Sequence, residues 1–209
     1  MKARIDETQV EALRQHWQRH HFVRLRDFLD AGALAFVHAQ IAGGEFHEQV
    51  HPVSGREAVL AEGAAQRLLD LLVNDRRVLA MVERITGCPP IGGCLNGRIY
   101  RLLPASNEAH DWHDDNVRQR LLGLSINLTE RAFEGGELQL REARTKAPVG
   151  AVRNTGPGDC VVFELGPRIE HRVTPVTGDT PRVAYAGWFE AGPSLKAHLE
   201  RGPQRPATL

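Results

Sequence analysis

Cysteine, net charge and long hydrophobic runs are all scarce in this sequence. Three cysteines in 209 residues are an odd and sparse set, which argues against a disulfide framework and fits a reducing compartment. Basic and acidic residues number 26 each, so the chain lacks the basic excess of a nucleic-acid-binding protein. No apolar run approaches the length of a membrane span, and the charged, amphipathic N-terminus is unlike a signal peptide. We therefore expect a cytoplasmic protein without nucleic-acid or membrane partners.

The length suits one domain, which we expect to span 1–209. The sequence pattern of residues 1–90 predicts a mainly helical buttress, and that of residues 91–190 predicts a β-rich core. The end of the chain, 191–209, holds three prolines and two glycines with little periodicity, which predicts a peripheral tail.

Helical spacing of apolar residues dominates the first half. It predicts one helix around Val10–Trp17, a second that Asp30 caps, and two more over 58–85 that are broken near Asn74. A short extended run over 22–28 separates the first two helices.

The second half changes to short alternating runs between glycine, proline and asparagine signals. They predict strands at 97–103, 109–115, 121–129, 136–141, 149–154, 159–164, 169–176 and 181–190. Eight short strands in about one hundred residues favour a double-sheet jelly roll, a double-stranded β-helix. With helices supporting one sheet, the fold class is α+β.

A His-x-Asp triplet, His113 to Asp115, is the strongest chemical signal. Ten histidines are present, and only one opens such a triplet. On an extended strand, residues i and i+2 share a face, so this pair can hold one metal ion. The same residues also suit an exposed polar loop, so the triplet alone is weak evidence.

A second histidine, His171, is followed eleven residues later by Arg182, with a turn at Gly178-Asp179 between them. This arrangement predicts a hairpin that brings both side chains to one barrel mouth, where His171 completes a two-histidine, one-carboxylate metal triad. The arginine fork can then grip a carboxylate in two-point fashion. An ordinary hairpin with a surface arginine is the alternative.

Alternation from Arg182 sends Ala184, Ala186 and Trp188 to the same face as the arginine. Small residues there leave room beside the guanidinium, as a ligand pocket requires. A tightly packed sheet also accounts for them.

These pieces, in this order, resemble the Fe(II)/2-oxoglutarate-dependent dioxygenase superfamily in its prolyl-hydroxylase-like branch. The resemblance covers about 92–190. Its matching segments are Arg98-Ile-Tyr-Arg101, His113-Asp-Asp-Asn116, Ile126-Asn-Leu128, Glu134-Gly-Gly-Glu-Leu138, Pro157-Gly-Asp-Cys-Val-Val-Phe163, and His171 with Val173, Pro175, Val176, Arg182 and Trp188-Phe189.

The resemblance implies a role for each matching residue. His113, Asp115 and His171 would bind Fe(II), and Arg182 would pair with the distal carboxylate of 2-oxoglutarate. Tyr100 would contact the same cosubstrate through its hydroxyl. The interval from Tyr100 to His113 is longer than is usual in the family, and an insertion at 104–108 would explain it.

Four further residues or pairs are candidates on local grounds. Asn127, with Ser125, forms the polar face of an apolar strand and is predicted to look into the cosubstrate pocket. His110 and Trp112 flank the metal motif and are candidates for the substrate entrance, against simple packing. The histidine pairs 16/20 and 47/51 have zinc-like spacing but no matching cysteine or carboxylate, which favours solvated histidines.

The function that the resemblance implies is hydroxylation of an unactivated C–H bond, with O2 consumed, succinate and CO2 released, and ascorbate as a candidate reductant. The carboxylate of Asp115 favours hydroxylation, since halogenases of the superfamily lack it. A small molecule, an amino acid or a peptidyl residue all remain candidate substrates, and the oligomeric state is open. The alternative is a non-catalytic, cupin-like metal- or ligand-binding protein, although cupins need no arginine clamp.

Overall fold

Antiparallel β-strands make up most of the computed structural model, which describes residues 7–51, 55–104, 109–117 and 119–192. Four helices are present in these residues: α1 Glu7–His20, α2 Ala31–Ala42, α3 Ala64–Val73 and α4 Arg76–Thr86. The strands are β1 Phe22–Leu25, β2 Phe46–His51, β3 Gly55–Leu60, β4 Gly93–Leu102, β5 His110–His113, β6 Arg120–Asn127, β7 Leu138–Glu142, β8 Pro148–Val152, β9 Cys160–Glu164, β10 Ile169–Val173 and β11 Arg182–Glu190.

The strands form one nearly closed sheet in the order β1-β9-β6-β11-β4-β3-β5-β10-β7-β8, with β2 paired to the edge of β3. Most neighbours in this order are not consecutive in the chain, as expected for a jelly roll. The order places β5 beside β10 and β11 between β4 and β6, which determines the side chains that meet inside the barrel.

Alternation along the central strands separates two hydrophobic cores. On β4, Ile99 packs into the core shared with the helices, whereas Tyr100 points into the barrel core. On β11, Tyr185 and Ala184 divide in the same way. The helical face therefore carries the large apolar side chains, and the barrel interior combines apolar walls with polar groups.

The helix starts follow their capping residues. The Asp30 side chain accepts a hydrogen bond from the Ala33 amide at 2.9 Å and begins α2, as the sequence predicted. Asp75 caps α4 in the same way through the Arg77 amide, at 2.8 Å. The predicted break near Asn74 is thus confirmed, and so is the fold class.

The first half holds more β-structure than expected. The antiparallel pair of β2 and β3 covers residues 46–51 and 55–60, and α3 begins at Ala64, so the predicted helical stretch 58–85 begins six residues too early. Tertiary pairing explains the difference, because β3 docks on β4 through Val59 opposite Tyr100 and extends the sheet. The predicted tail, 191–209, lies almost wholly outside the described residues.

No helix among the described residues combines the length and the apolar character that crossing a membrane requires.

Candidate active site

A cavity of about 220 Å³ opens inside the barrel between β4, β5, β6, β10 and β11. Its walls carry the histidines of the predicted triad at one side and Arg182 at another. All three predicted metal ligands and the predicted carboxylate-binding arginine line this one cavity.

The two histidines of the triad face each other across a strand pair. His113 on β5 is the direct antiparallel partner of His171 on β10, and their ring centroids are 4.2 Å apart. Directly opposed residues have Cβ atoms only about 5 Å apart, so the backbone register alone brings the imidazoles together.

Asp115 lies next to the two histidines because of a backbone conformation that the sequence did not predict. Strand β5 ends at His113, and Asp115 follows in the left-handed region with φ 49°. Its Oδ2 lies 3.5 Å from Nε2 of His171 and 3.7 Å from Nε2 of His113. The donor atoms of the three side chains all lie within 4.8 Å of one another, and no other such group of metal-ligating side chains occurs in the described ranges.

The protonation states of Asp115 and His171 favour metal binding. Burial tends to raise the pKa of Asp115, but the two histidines outweigh it and hold that pKa far below its usual value. Burial lowers the pKa of His171, so its imidazole is neutral near pH 7. Burial also tends to lower the pKa of His113, but the nearby carboxylate of Asp115 and the Asp111 carbonyl raise it overall.

Neighbouring groups orient the ligand candidates. His113 Nδ1 lies 2.5 Å from the Asp111 carbonyl oxygen, which can only accept, so Nδ1 donates and leaves the Nε2 lone pair for a metal. The indole Nε1 of Trp188 donates to Oδ2 of Asp115 at 2.8 Å. Arg120 approaches Oδ1 of the same carboxylate at 3.4 Å.

Arg182 is held in place by Tyr100 and Ser125. Its Nη1 donates to the Tyr100 hydroxyl, and its Nη2 donates to Oγ of Ser125 at 3.2 Å. Only 7% of Arg182 is exposed, and no carboxylate among the residues with described positions pairs with it. A buried guanidinium without an acidic partner is costly, so the site is built for an anion.

Gly136 makes room for this arginine. Its φ is +57°, and a Cβ at this position would lie 2.7 Å from Cδ of Arg182. The second glycine of the Gly135-Gly136 pair is therefore needed for the backbone conformation and for the passage of the Arg182 side chain.

A second polar network lies in the cavity wall, where Arg98 and His110 are lining residues. Glu57 on β3 is fully buried, and Arg98 donates to it from Nε at 2.5 Å and from Nη2 at 3.1 Å. His110 Nε2 lies 3.0 Å from Oε2 of Glu57, the oxygen that also accepts from Arg98 Nη2. Burial tends to raise the pKa of Glu57, but His110 and Arg98 outweigh it, so the carboxyl group stays ionised. Burial lowers the pKa of His110.

Of the two residues predicted at the substrate entrance, one lines the cavity and the other does not. His110 lines the cavity, and its ring lies 5.3 Å from that of Tyr100. Trp112 is not among the lining residues; the Cζ atoms of Arg141 and Arg172 lie over its ring, 4.0 and 4.6 Å from the centroid. The structure therefore gives no support to Trp112 at a substrate entrance of this cavity.

Asn127 lines a smaller neighbouring cavity of about 20 Å³, which shares Arg182 and Ser125 with the larger one. Its amide nitrogen donates to the Thr155 carbonyl at 2.5 Å, and its amide oxygen accepts from the Thr129 amide at 3.0 Å. Its side chain is thus committed to backbone groups, and contact with a cosubstrate stays a prediction.

Sequence reasoning missed Glu57, Arg98 and Arg120. Glu57 belongs to a strand that was not predicted. Arg98 had a signal, since it stands two residues before Tyr100 and so shares its face of β4. Arg120 begins β6 at a register shift, which simple alternation does not reveal. Of the other histidines, His16 and His20 stack at 4.4 Å without a third ligand among the described residues.

Comparison with known proteins agrees with this geometry. Residues 98–190, just under half of the chain, match the family model described as the 2OG-Fe(II) oxygenase superfamily. The matched segment includes the His113, Asp115 and His171 cluster and Arg182. No curated protein matches the sequence significantly.

Solved structures share the fold at low sequence identity. A 2OG-Fe(II) oxygenase family oxidoreductase from Burkholderia pseudomallei has a TM-score of 0.67 at 18% identity, over 92% of this chain and 95% of that one. A Pseudomonas putida prolyl-4-hydroxylase has 0.62 at 19%, over 87% and 98%. The non-heme α-ketoglutarate-dependent epimerase of nogalamycin biosynthesis has 0.65 at 16%, over 89% and 85%. Similar folds thus serve more than one reaction.

Proposed function

We propose that this chain is a 2OG-Fe(II) oxygenase, the superfamily whose model matches residues 98–190, and that it is a dioxygenase that hydroxylates an unactivated C–H bond. Fe(II), 2-oxoglutarate and O2 are the cofactor and cosubstrates that the family uses. The observation that carries the proposal is the meeting, in one cavity, of a three-donor cluster and a buried arginine without an acidic partner.

The donor set fits iron. Two imidazoles and one carboxylate form the facial triad of non-heme Fe(II) oxygenases, which leaves other coordination positions open. Donors that each lie about 2.1 Å from one ion are about 3–3.5 Å apart. The Nε2-to-Oδ2 separations of 3.5 and 3.7 Å are close to this, and they are too long for good hydrogen bonds. His113, Asp115 and His171 would therefore hold Fe(II).

The arginine fits the second ligand. 2-Oxoglutarate carries a carboxylate at each end, and Arg182 offers a guanidinium in a cavity of low dielectric constant, where charge-assisted hydrogen bonds are strong. Tyr100 and Ser125 fix its orientation, so little freedom is lost on binding. Arg182 and Tyr100 would bind the distal carboxylate.

When bound, Fe(II) and 2-oxoglutarate supply the oxidising chemistry with O2: the keto acid loses CO2 and becomes succinate, and one oxygen atom goes to the substrate. The chain's own residues position these groups. The Asp111 carbonyl keeps the proton of His113 on Nδ1, and Trp188 directs the Asp115 carboxylate. Apolar walls such as Leu138, Phe163 and Val173 limit the water that reaches the cavity.

Succinate formation tests the proposal. Purified protein with Fe(II), 2-oxoglutarate and O2 is offered a panel of metabolites and peptides, and succinate and product masses are measured. We expect succinate to form and a product to gain one oxygen atom. His113→Ala should abolish turnover, whereas His47→Ala, an exposed histidine on β2, should retain it. Turnover that persists in His113→Ala would remove the metal assignment.

The mass readout also separates the other reaction types. An epimerisation leaves the substrate mass unchanged, and a hydroxylation adds one oxygen atom. A cupin-like binding protein would retain metal without producing succinate from any substrate. The buried Arg182, for which such a protein has no need, favours the dioxygenase.

A further inference from the structure

We propose that the substrate of this cavity carries a carboxylate, and that Arg98 and Arg120 bind it beside the indole of Trp188. The inference rests on the proposed function, because it concerns the second organic ligand of the same site. It assigns a substrate class and two substrate-binding residues, and neither arginine is among the residues proposed to contact iron or 2-oxoglutarate directly.

The sheet brings both arginines to Trp188. Strand β11, which carries Trp188, lies between β4 and β6. Arg98 on β4 pairs opposite Ala186, and Arg120 on β6 pairs opposite Glu190, so each lies within two residues of Trp188 in register. The Cζ atoms of Arg98 and Arg120 lie 5.3 and 3.7 Å from the indole centroid. Two guanidinium groups thus converge on one ring from two neighbouring strands.

Both arginines line the cavity and keep donors available. Arg98 gives Nε and Nη2 to Glu57, and its Nη1 makes no hydrogen bond within the described ranges. Arg120 makes a single contact with an acid there, from Nη1 to Oδ1 of Asp115, at the long distance of 3.4 Å. A guanidinium has five N–H donors, so several remain for a ligand.

The charge around the cavity is left positive. Among the residues whose positions the structure describes, Arg98, Arg120 and Arg182 face two carboxylates, those of Glu57 and Asp115, so one positive charge is in excess. Bound Fe(II) and the 2-oxoglutarate dianion cancel each other, so loading the site leaves that excess in place. A further ligand with a single negative charge would neutralise it. A carboxylate fits this better than a phosphate dianion.

The space indicates a small acid. The cavity of about 220 Å³ is below the roughly 300–1,000 Å³ that is typical of ligand sites. Trp188 also lines the cavity, so the carbon skeleton of the acid can pack against the part of the indole that faces the cavity while its carboxylate pairs with Arg98 and Arg120.

Nuclear magnetic resonance of the indole N–H of Trp188 tests the proposal directly. The protein is loaded with Zn(II), a diamagnetic substitute for Fe(II), and with excess 2-oxoglutarate, and the signal is assigned with Trp188→Phe. Butanoate, butanamide and inorganic phosphate are then titrated in turn. We expect a saturable shift with butanoate alone, with a Kd on the order of millimolar. A shift with butanamide of equal affinity, with phosphate alone, or with none of the three would overturn the proposal.

Variants show which residues are responsible. Arg120→Met, and the double variant Glu57→Gln with Arg98→Met, which removes a buried ion pair as a unit, should each weaken butanoate binding about tenfold or more. Arg77→Met, at an exposed position on α4, is the control. Unchanged butanoate affinity in both cavity variants would refute the assignment. Calorimetry of Zn(II) and 2-oxoglutarate binding on the same samples separates the two proposals: loss of these ligands refutes the proposed function, whereas their retention without butanoate binding refutes only the substrate class.

Discussion

Trp188 donates its indole N–H to Asp115 across a distance of 2.8 Å, and the oxygen that accepts this bond lies 3.5 Å from Nε2 of His171. The carboxylate lies just beyond the end of β5 in a left-handed conformation, where strand pairing does not fix it. Strand pairing positions the two histidines, and the hydrogen bond from Trp188 on β11 positions the Asp115 carboxylate.

Replacing Trp188 with phenylalanine should weaken metal binding. The substitution keeps an aromatic ring but removes the donor, so the carboxylate of Asp115 gains freedom. Loss of such an outer hydrogen bond typically lowers metal affinity about 10–100-fold. Calorimetric titration with Zn(II) measures the change. Trp112→Phe is a matched control, since Trp112 does not line the cavity. Equal affinity in wild type and Trp188→Phe would contradict the proposed role.

Replacing Arg182 with methionine should weaken the binding of 2-oxoglutarate but not the binding of metal. The variant keeps the apolar stem but loses the guanidinium that the distal carboxylate of 2-oxoglutarate is proposed to meet. We expect the Kd for 2-oxoglutarate to rise about 100-fold, or roughly 2.7 kcal/mol, with little change in metal affinity. Titration of each ligand alone and in sequence measures both. A parallel loss of Zn(II) binding would show that the substitution disturbs the whole site.

The Glu57 network should make stability depend on pH. The folded pKa of Glu57 lies below the ordinary value of 4.5, so its stabilising contribution is complete above that pH and declines as the pH falls below it. Glu57→Gln should lower the free energy of unfolding by about 3 kcal/mol at pH 7, because Arg98 and His110 lose their buried partner.

Urea unfolding at several pH values between 7 and 3 measures this dependence. The difference between wild type and Glu57→Gln should shrink toward low pH. The control is Glu48→Gln. Glu48 forms an exposed ion pair with Arg56, so its loss should change the free energy of unfolding by less than about 0.5 kcal/mol. A difference that stays constant from pH 7 to 3 would show that the carboxylate charge is not what stabilises the network.

Much of the barrel was predictable because period-two alternation survives wherever one face of a strand is buried. The eight predicted strands of the second half each overlap an observed strand, and helix α2 begins where Asp30 can cap it. The antiparallel pair of β2 and β3 was not predictable, since its sequence lacks a strong alternating pattern and its stability comes from pairing with β4.

The candidate site was predictable in its residues but not in its geometry. His113 and Asp115 were expected on one face of an extended strand, yet the strand ends at His113 and the positive φ of Asp115 turns the carboxylate back. Side chains recruited from distant strands, such as Trp188 for Asp115 and Glu57 for Arg98, depend on tertiary packing that a single sequence does not display.

A substitution at Gly136 tests the position of the Arg182 side chain without removing any charged group. In Gly136→Ala, the new Cβ would lie 2.7 Å from Cδ of Arg182 and would displace the guanidinium, while the positive φ adds backbone strain of about 1 kcal/mol. Gly87→Ala is the matched control, because Gly87 has φ +70° but open space around its Cβ position. Both variants carry the cost of the positive φ, and the clash at Gly136 adds to it, so Gly136→Ala should lose more stability in urea unfolding. Only Gly136→Ala should raise the Kd for 2-oxoglutarate, by about tenfold. Unaltered 2-oxoglutarate binding in Gly136→Ala would mean that the position of Arg182 does not set the affinity.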